Sequence, residues 1–126
     1  MTRAVTTTYP TEDAEQMALF IWASLAAPVH PELVLLFHIP NGGSRGKAEA
    51  GRFRAMGVKA GVPDLFLPVA RQGMHGLFIE LKRKKGSRVS KEQQEWGTAL
   101  YKQGYAAHVC YGWEDAMRVI LRYLEG

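Results

Sequence analysis

Two acids and a lysine stand in a spacing that could do chemistry. Asp64 follows Pro63, and Glu80 stands two places before Lys82 in Glu80-Leu81-Lys82. Alternate side chains of a strand share a face, so Glu80 and Lys82 would project to one side. Asp64 opens a neighbouring apolar run, DLFLPV, that hairpin pairing would set beside LFIELKR. Two carboxylates and an ammonium would then meet at one edge of a sheet. Mg²⁺ prefers hard oxygen donors and often takes one or two carboxylates while keeping several waters. Asp64 and Glu80 could hold it, with the backbone carbonyl of Leu81 beside them. Such an ion would polarise a phosphodiester and lower the pKa of a bound water. Lys82 could orient that water or stabilise the charge that builds on phosphorus. Alone, the pattern also fits an ordinary strand start followed by a cross-face ion pair.

The elements that must position these residues follow from local signals. Residues 1–10 read as a flexible arm, and residues 11–126 as a single domain. Thr11 can cap a helix whose first turn carries Glu12 and Asp13, acids that suit the positive end of its dipole. Ala14, Met17, Ala18, Ile21, Trp22 and Leu25 recur at helical spacing, and the helix should stop before Pro28. LVLLFHI, bounded by Pro31 and Pro40, has the length of a buried strand. NGGSRG is a loop, and Ser44 could cap a short helix running to about Met56 and closed by Gly57.

Two strands in a hairpin follow, then the basic linker KRKKGSR. Ser90 and Gln93 form an S-x-x-Q capping box before a helix through about Gln103. YAAHVCY is the last strand, and a closing helix carries Ala116, Val119, Ile120 and Tyr123 or Leu124 inward. This order suggests an α/β fold, a mixed sheet flanked by helices.

Composition narrows the classes. The 126 residues suit one domain, and 47% hydrophobic residues can form a core. Sixteen basic against twelve acidic residues give a net charge of +4, which permits a polyanionic partner. Basic residues cluster from Arg45 to Lys59, including Lys47 and Arg52, and from Lys82 to Lys91, including Arg83, Lys84, Lys85 and Arg88. Phosphate contacts by such groups would be salt-sensitive and largely independent of sequence. A single cysteine, Cys110, excludes an internal disulfide and a cysteine-based zinc site. No apolar run is long enough to span a membrane, and the N-terminus lacks a signal-peptide pattern. A cytoplasmic protein is expected.

The motifs HIPNGG, AGVPDLFLP, GLFIELKRKKGSRVSKEQQEW and GWEDA occur in order from His38 onward. Together they resemble the VRR-NUC branch of the PD-(D/E)xK nuclease superfamily. That resemblance implies a restriction-endonuclease-like αβββαβ core, with an inserted helix and a C-terminal helix. It implies Asp64 and Glu80 as metal ligands for Mg²⁺ or Mn²⁺, and Lys82 as the catalytic lysine. Gln93 would be a helix glutamine reaching the site, and Glu15 an acid of the first helix that completes the metal set. A Gln93 folded back onto its own helix as a cap would not reach the metal. Asn41 matches the loop after the first strand and would contact nucleic acid or hold that loop.

The resemblance also implies a metal-dependent endonuclease acting on branched, Holliday-junction-like DNA as a homodimer. A phage- or prophage-encoded protein of a bacterial cytoplasm is the expected setting. A flap- or duplex-cutting nuclease of the same fold, or a degenerate DNA-binding module, are the alternatives.

Overall fold

The computed structural model describes residues 8–40 and 46–126. The first seven residues of the expected arm, Asn41, Ser44 and Arg45 lie outside the described residues. Helix α1 spans Glu12–Ala26, and the Thr11 hydroxyl accepts the N–H of Ala14 as its N-cap. The apolar positions that mark α1 as a helix are not those it buries most deeply. Glu15, Leu19 and Ala23 face inward instead. They repeat every fourth residue on the side opposite Met17, Ile21 and Leu25.

The run after α1 corrects the expectation of a buried strand over LVLLFHI. Pro31–Leu35 is a 3-10 turn, and strand β1 is only Phe37–His38. Pro31 sits at the start of that turn, where its missing N–H has no helical partner to lose. Leu33 and Leu36, three apart, reach the core, as a turn demands and a strand would not. Helix α2, Lys47–Ala55, buries none of its residues, and Gly57 follows it at φ 96°.

Strands β2 (Leu65–Leu67) and β3 (Leu77–Lys82) form the expected antiparallel hairpin, pairing Leu65 with Ile79. Helix α3, Lys91–Lys102, then crosses over to β4, Ala106–Tyr111, which runs parallel to β3. The sheet order is β1-β2-β3-β4, with β1 antiparallel to β2. Helix α4, Trp113–Glu125, closes the chain and buries Ala116, Ile120 and Tyr123.

Alternation along β3 divides the molecule. Leu77, Ile79 and Leu81 enter the core with Leu19, Ala23 and Ile120, so α1 and α4 cover this face. Phe78, Glu80 and Lys82 point to the opposite face, where α3 lies over β4. Among the described residues, no helix is long and apolar enough to cross a membrane.

Candidate active site

Asp64 stands just before β2, where its backbone still belongs to the sheet. Its carbonyl accepts the N–H of Ile39 at 2.6 Å and lies 2.9 Å from His38 Nδ1. A carbonyl only accepts, so that ring nitrogen carries the proton. The Asp64 side chain crosses to the next strand, and its Oδ2 accepts the N–H of Leu81 at 2.9 Å. Gly61 permits the preceding turn: it has φ 93°, and a Cβ there would meet the Glu92 backbone at 2.6 Å. The loop carrying Pro63-Asp64 is thereby seated against the first turn of α3.

Glu80 and Lys82 are both buried, at 6% and 7% exposure. Lys82 Nζ lies 3.6 Å from Glu80 Oε2. Gln93 Nε2 donates to the same oxygen at 2.9 Å. The other end of that amide completes the capping box: Gln93 Oε1 accepts the N–H of Ser90 at 2.8 Å, and Ser90 Oγ accepts the N–H of Gln93. Capping its own helix therefore does not keep Gln93 from Glu80, because the planar amide meets Ser90 and Glu80 with opposite ends.

Burial above all, with the neighbouring Asp64 carboxylate acting in the same direction and Lys82 partly opposing, pushes the Glu80 carboxyl up from an ordinary 4.5 to about 8. Glu80 Oε1 is buried and has no hydrogen-bond partner among the described residues. Two carboxylates pressed together, one with an orphaned oxygen, form a donor set that suits a hard divalent cation. The Leu81 carbonyl could join them. A strand residue presents its N–H and C=O on the same edge, so this carbonyl faces the Asp64 side, past the last ladder pair Leu65–Ile79. The site opens on a cleft of about 530 Å³ between α3 and β4, lined by Pro63, Glu80, Gln93, Gly97, Tyr101 and Val109.

The structure does not bring Glu15 into this pair. Its Oε1 accepts the N–H of Trp113 at 3.1 Å, at the first turn of α4. No group of three or more acids, histidines or cysteines that could hold a metal occurs among the described residues. Glu12, one helical turn earlier on α1, exerts only the weakest of the influences on Glu80, behind burial, Asp64 and Lys82. Its sequence signal was the same as that of Glu15, a first-turn acid. His38, which helps hold the Asp64 backbone, carried no signal beyond lying near the loop.

The basic clusters divide in the same way. Lys47 and Arg52 are exposed on α2, and Arg88 is exposed in the linker. Arg83 donates to the Tyr9 carbonyl at 3.1 Å, Lys84 pairs with Glu114 at 3.2 Å, and Lys85 lies over the Tyr9 ring. Arg83 and Lys84 thus have structural partners, which weakens their claim to nucleic acid. Cys110 is buried, and burial with the Asp115 charge pushes its thiol up to about 12, so it is inert.

A mixed four-stranded sheet flanked by helices, with acid, acid and lysine gathered where β2 leaves β3, defines the restriction-endonuclease-like class. The model of the VRR-NUC domain matches residues 29–114, and this chain belongs to that family, a family of nucleases. A solved structure described as a "VRR_NUC domain protein" is 32% identical, with TM-score 0.78, over 94% of this chain and 92% of that one. No curated protein matches.

Proposed function

We propose that this chain is a divalent-metal-dependent endonuclease that hydrolyses DNA phosphodiester bonds, acting as a homodimer on branched, Holliday-junction-like DNA. The observation that carries the reading is the convergence of Asp64, Lys82 and Gln93 on one buried carboxylate, Glu80. Asp64, Glu80 and the Leu81 carbonyl would hold Mg²⁺ or Mn²⁺. Bound there, the ion supplies Lewis-acid polarisation of the phosphate and makes water a better nucleophile near neutral pH.

The chain's own residues supply the rest. The Leu81 N–H fixes the Asp64 carboxylate, and the Gln93 amide fixes that of Glu80. Lys82, held against Glu80, presents a positive charge where negative charge grows on the phosphate oxygens. The exposed bases of α2 and the linker, Lys47, Arg52 and Arg88, bind backbone phosphates without reading bases.

The test is cleavage of labelled linear, flap and four-way-junction DNA with Mg²⁺, Mn²⁺ or EDTA, beside the Asp64→Ala variant. Metal-dependent cutting that is lost in the variant, and is strongest on the junction, is the expected result. Preference for a flap or a linear duplex replaces the substrate assignment. Binding with no cutting on any substrate makes the chain a degenerate DNA-binding module.

A further inference from the structure

Helix α3 covers β4 and yet buries none of its residues. The space this leaves is the cleft of about 530 Å³ that begins at Glu80. Gln93, Gly97 and Tyr101 follow one another at four-residue spacing, so one line of α3 forms its wall. Gln93 holds Glu80 at one end, at 2.9 Å. Tyr101 stands eight residues on, about 12 Å along the helix axis, and is 64% exposed.

Gly97 has no structural reason within the described residues. It sits in the middle of α3, where glycine costs a helix stability relative to alanine. A Cβ added there would meet nothing within 4 Å beyond its own stretch of helix. Neither close packing nor a left-handed backbone calls for glycine at this place. What the missing side chain leaves is width at the midpoint of the cleft.

Charge decides what the cleft can take. Among the described residues, no lysine or arginine lines it. A phosphate inside would have no counter-charge, whereas Lys82 stays beside Glu80. Gln94 and Thr98 instead bring an amide and a hydroxyl, which donate and accept as base edges do. Val109 adds an apolar strand residue, and Tyr101 an aromatic ring. A stacking ring with uncharged hydrogen-bonding groups suits a nucleobase. The cleft has room for one nucleotide and not for a duplex, so the base must arrive unpaired.

We propose that this cleft receives one unpaired nucleobase beside the scissile phosphate, stacked against Tyr101 in the space that Gly97 leaves. The inference rests on the nuclease reading for the phosphate at Glu80, and it names how that site would favour branched DNA. Drawing a base out of a continuous duplex costs its stacking and pairing, and a branch point or flap offers one at lower cost. Any base would serve, since every base has a face to stack.

The test is fluorescence anisotropy with the full wild-type chain in EDTA, so that nothing is cut. The probes are a DNA duplex with one unpaired thymine, the same duplex with an abasic site in place of that thymine, and the fully paired duplex. The thymine should add about tenfold in affinity over the abasic probe, the scale of one base stacked on an aromatic ring. Tyr101→Ala and Gly97→Leu should both erase that difference and leave affinity for the paired duplex unchanged. Leucine is the better helix former and enters open space, so Gly97→Leu should melt no lower than the wild type. Tyr101 is exposed, so its truncation leaves the core intact. With 5-iodouracil in place of the thymine, ultraviolet irradiation should crosslink the DNA to the α3 peptide that carries Tyr101. Equal affinity for the thymine and abasic probes, a preference that survives both variants, or crosslinks mapped only to other elements overturns the base-binding cleft. Metal-dependent cleavage without a thymine preference overturns the cleft and leaves the nuclease. A thymine preference without cleavage of any substrate overturns the nuclease and leaves the cleft.

Discussion

Gln93 Nε2 donates to Glu80 Oε2 at 2.9 Å, while Oε1 of the same amide accepts the Ser90 N–H at 2.8 Å. One side chain thus ties the start of α3 to the buried carboxylate of β3. The amide's orientation is set by the cap, since only its oxygen can accept from Ser90, and this leaves its NH₂ for Glu80.

This double duty separates two variants. Ser90→Ala removes a cap hydroxyl and should cost about 1 kcal/mol of stability, with cleavage nearly unchanged. Gln93→Ala should cost a similar amount and also lower turnover by about 10- to 100-fold, the usual effect of losing a group that orients a metal ligand. Thermal melts and single-turnover cleavage rates of both variants make the comparison. Equal loss of activity in the two would show that the cap alone matters.

The raised Glu80 carboxyl has a signed consequence for the metal-free protein. Between the ordinary 4.5 and about 8, the folded chain keeps a proton that the unfolded chain has released. Stability is then greatest at the acid end of that window and falls as pH rises through it. The melting temperature in EDTA should decline from pH 5 to pH 8, and Glu80→Gln should flatten the slope. Binding of Mg²⁺ requires the ionised carboxylate, so calorimetric affinity should be weaker at pH 6 than at pH 8.

Lys82→Ala should lower the cleavage rate by about 10²- to 10³-fold, on the scale of losing one preorganised electrostatic contact in a transition state. Metal and DNA binding should remain largely intact. A variant that no longer binds metal, or no longer folds, would assign Lys82 to holding Glu80 rather than to chemistry.

Glu15 offers the converse case. Its carboxylate accepts from Trp113 across the core, with Oε2 buried and without a hydrogen-bond partner among the described residues. Glu15→Ala should destabilise by about 1–3 kcal/mol by leaving the Trp113 N–H unpaired. Glu15→Gln keeps an acceptor and should retain metal affinity and cleavage. Loss of Mg²⁺ binding in Glu15→Gln would restore this residue to the metal set.

Lys47 and Arg52 project from a helix that buries nothing. Replacing both by Ala should weaken DNA binding on every sequence alike and reduce the slope of log affinity against log salt by about 2. Fluorescence anisotropy titrations from 50 to 200 mM salt, with Asp64→Ala protein in both backgrounds, measure it.

Much of the molecule was legible in the chain because its signals are local. Thr11, Ser90 and Gly57 sit at or beside helix ends by capping chemistry that acts over three or four residues. The alternation of LFIELK fixed which side of β3 carries Glu80 and Lys82, and hairpin proximity brought Asp64 to them. Local patterning could not choose between the two apolar sides of α1, nor between Glu12 and Glu15, which lie on the same helix a turn apart. Those choices rest on packing between distant segments: Glu15 meets Trp113 98 residues away, at the helix that closes the core. The short β1 is a further case, since LVLLFHI is apolar enough for a strand, and only the docking of Leu33 and Leu36 beside α1 made it a turn. Sequence thus determined the elements and the chemistry of the central acids and lysine. Tertiary structure decided that Glu15 of α1 turns to Trp113 and which apolar face of α1 is buried, because burial is settled by what lies opposite in space.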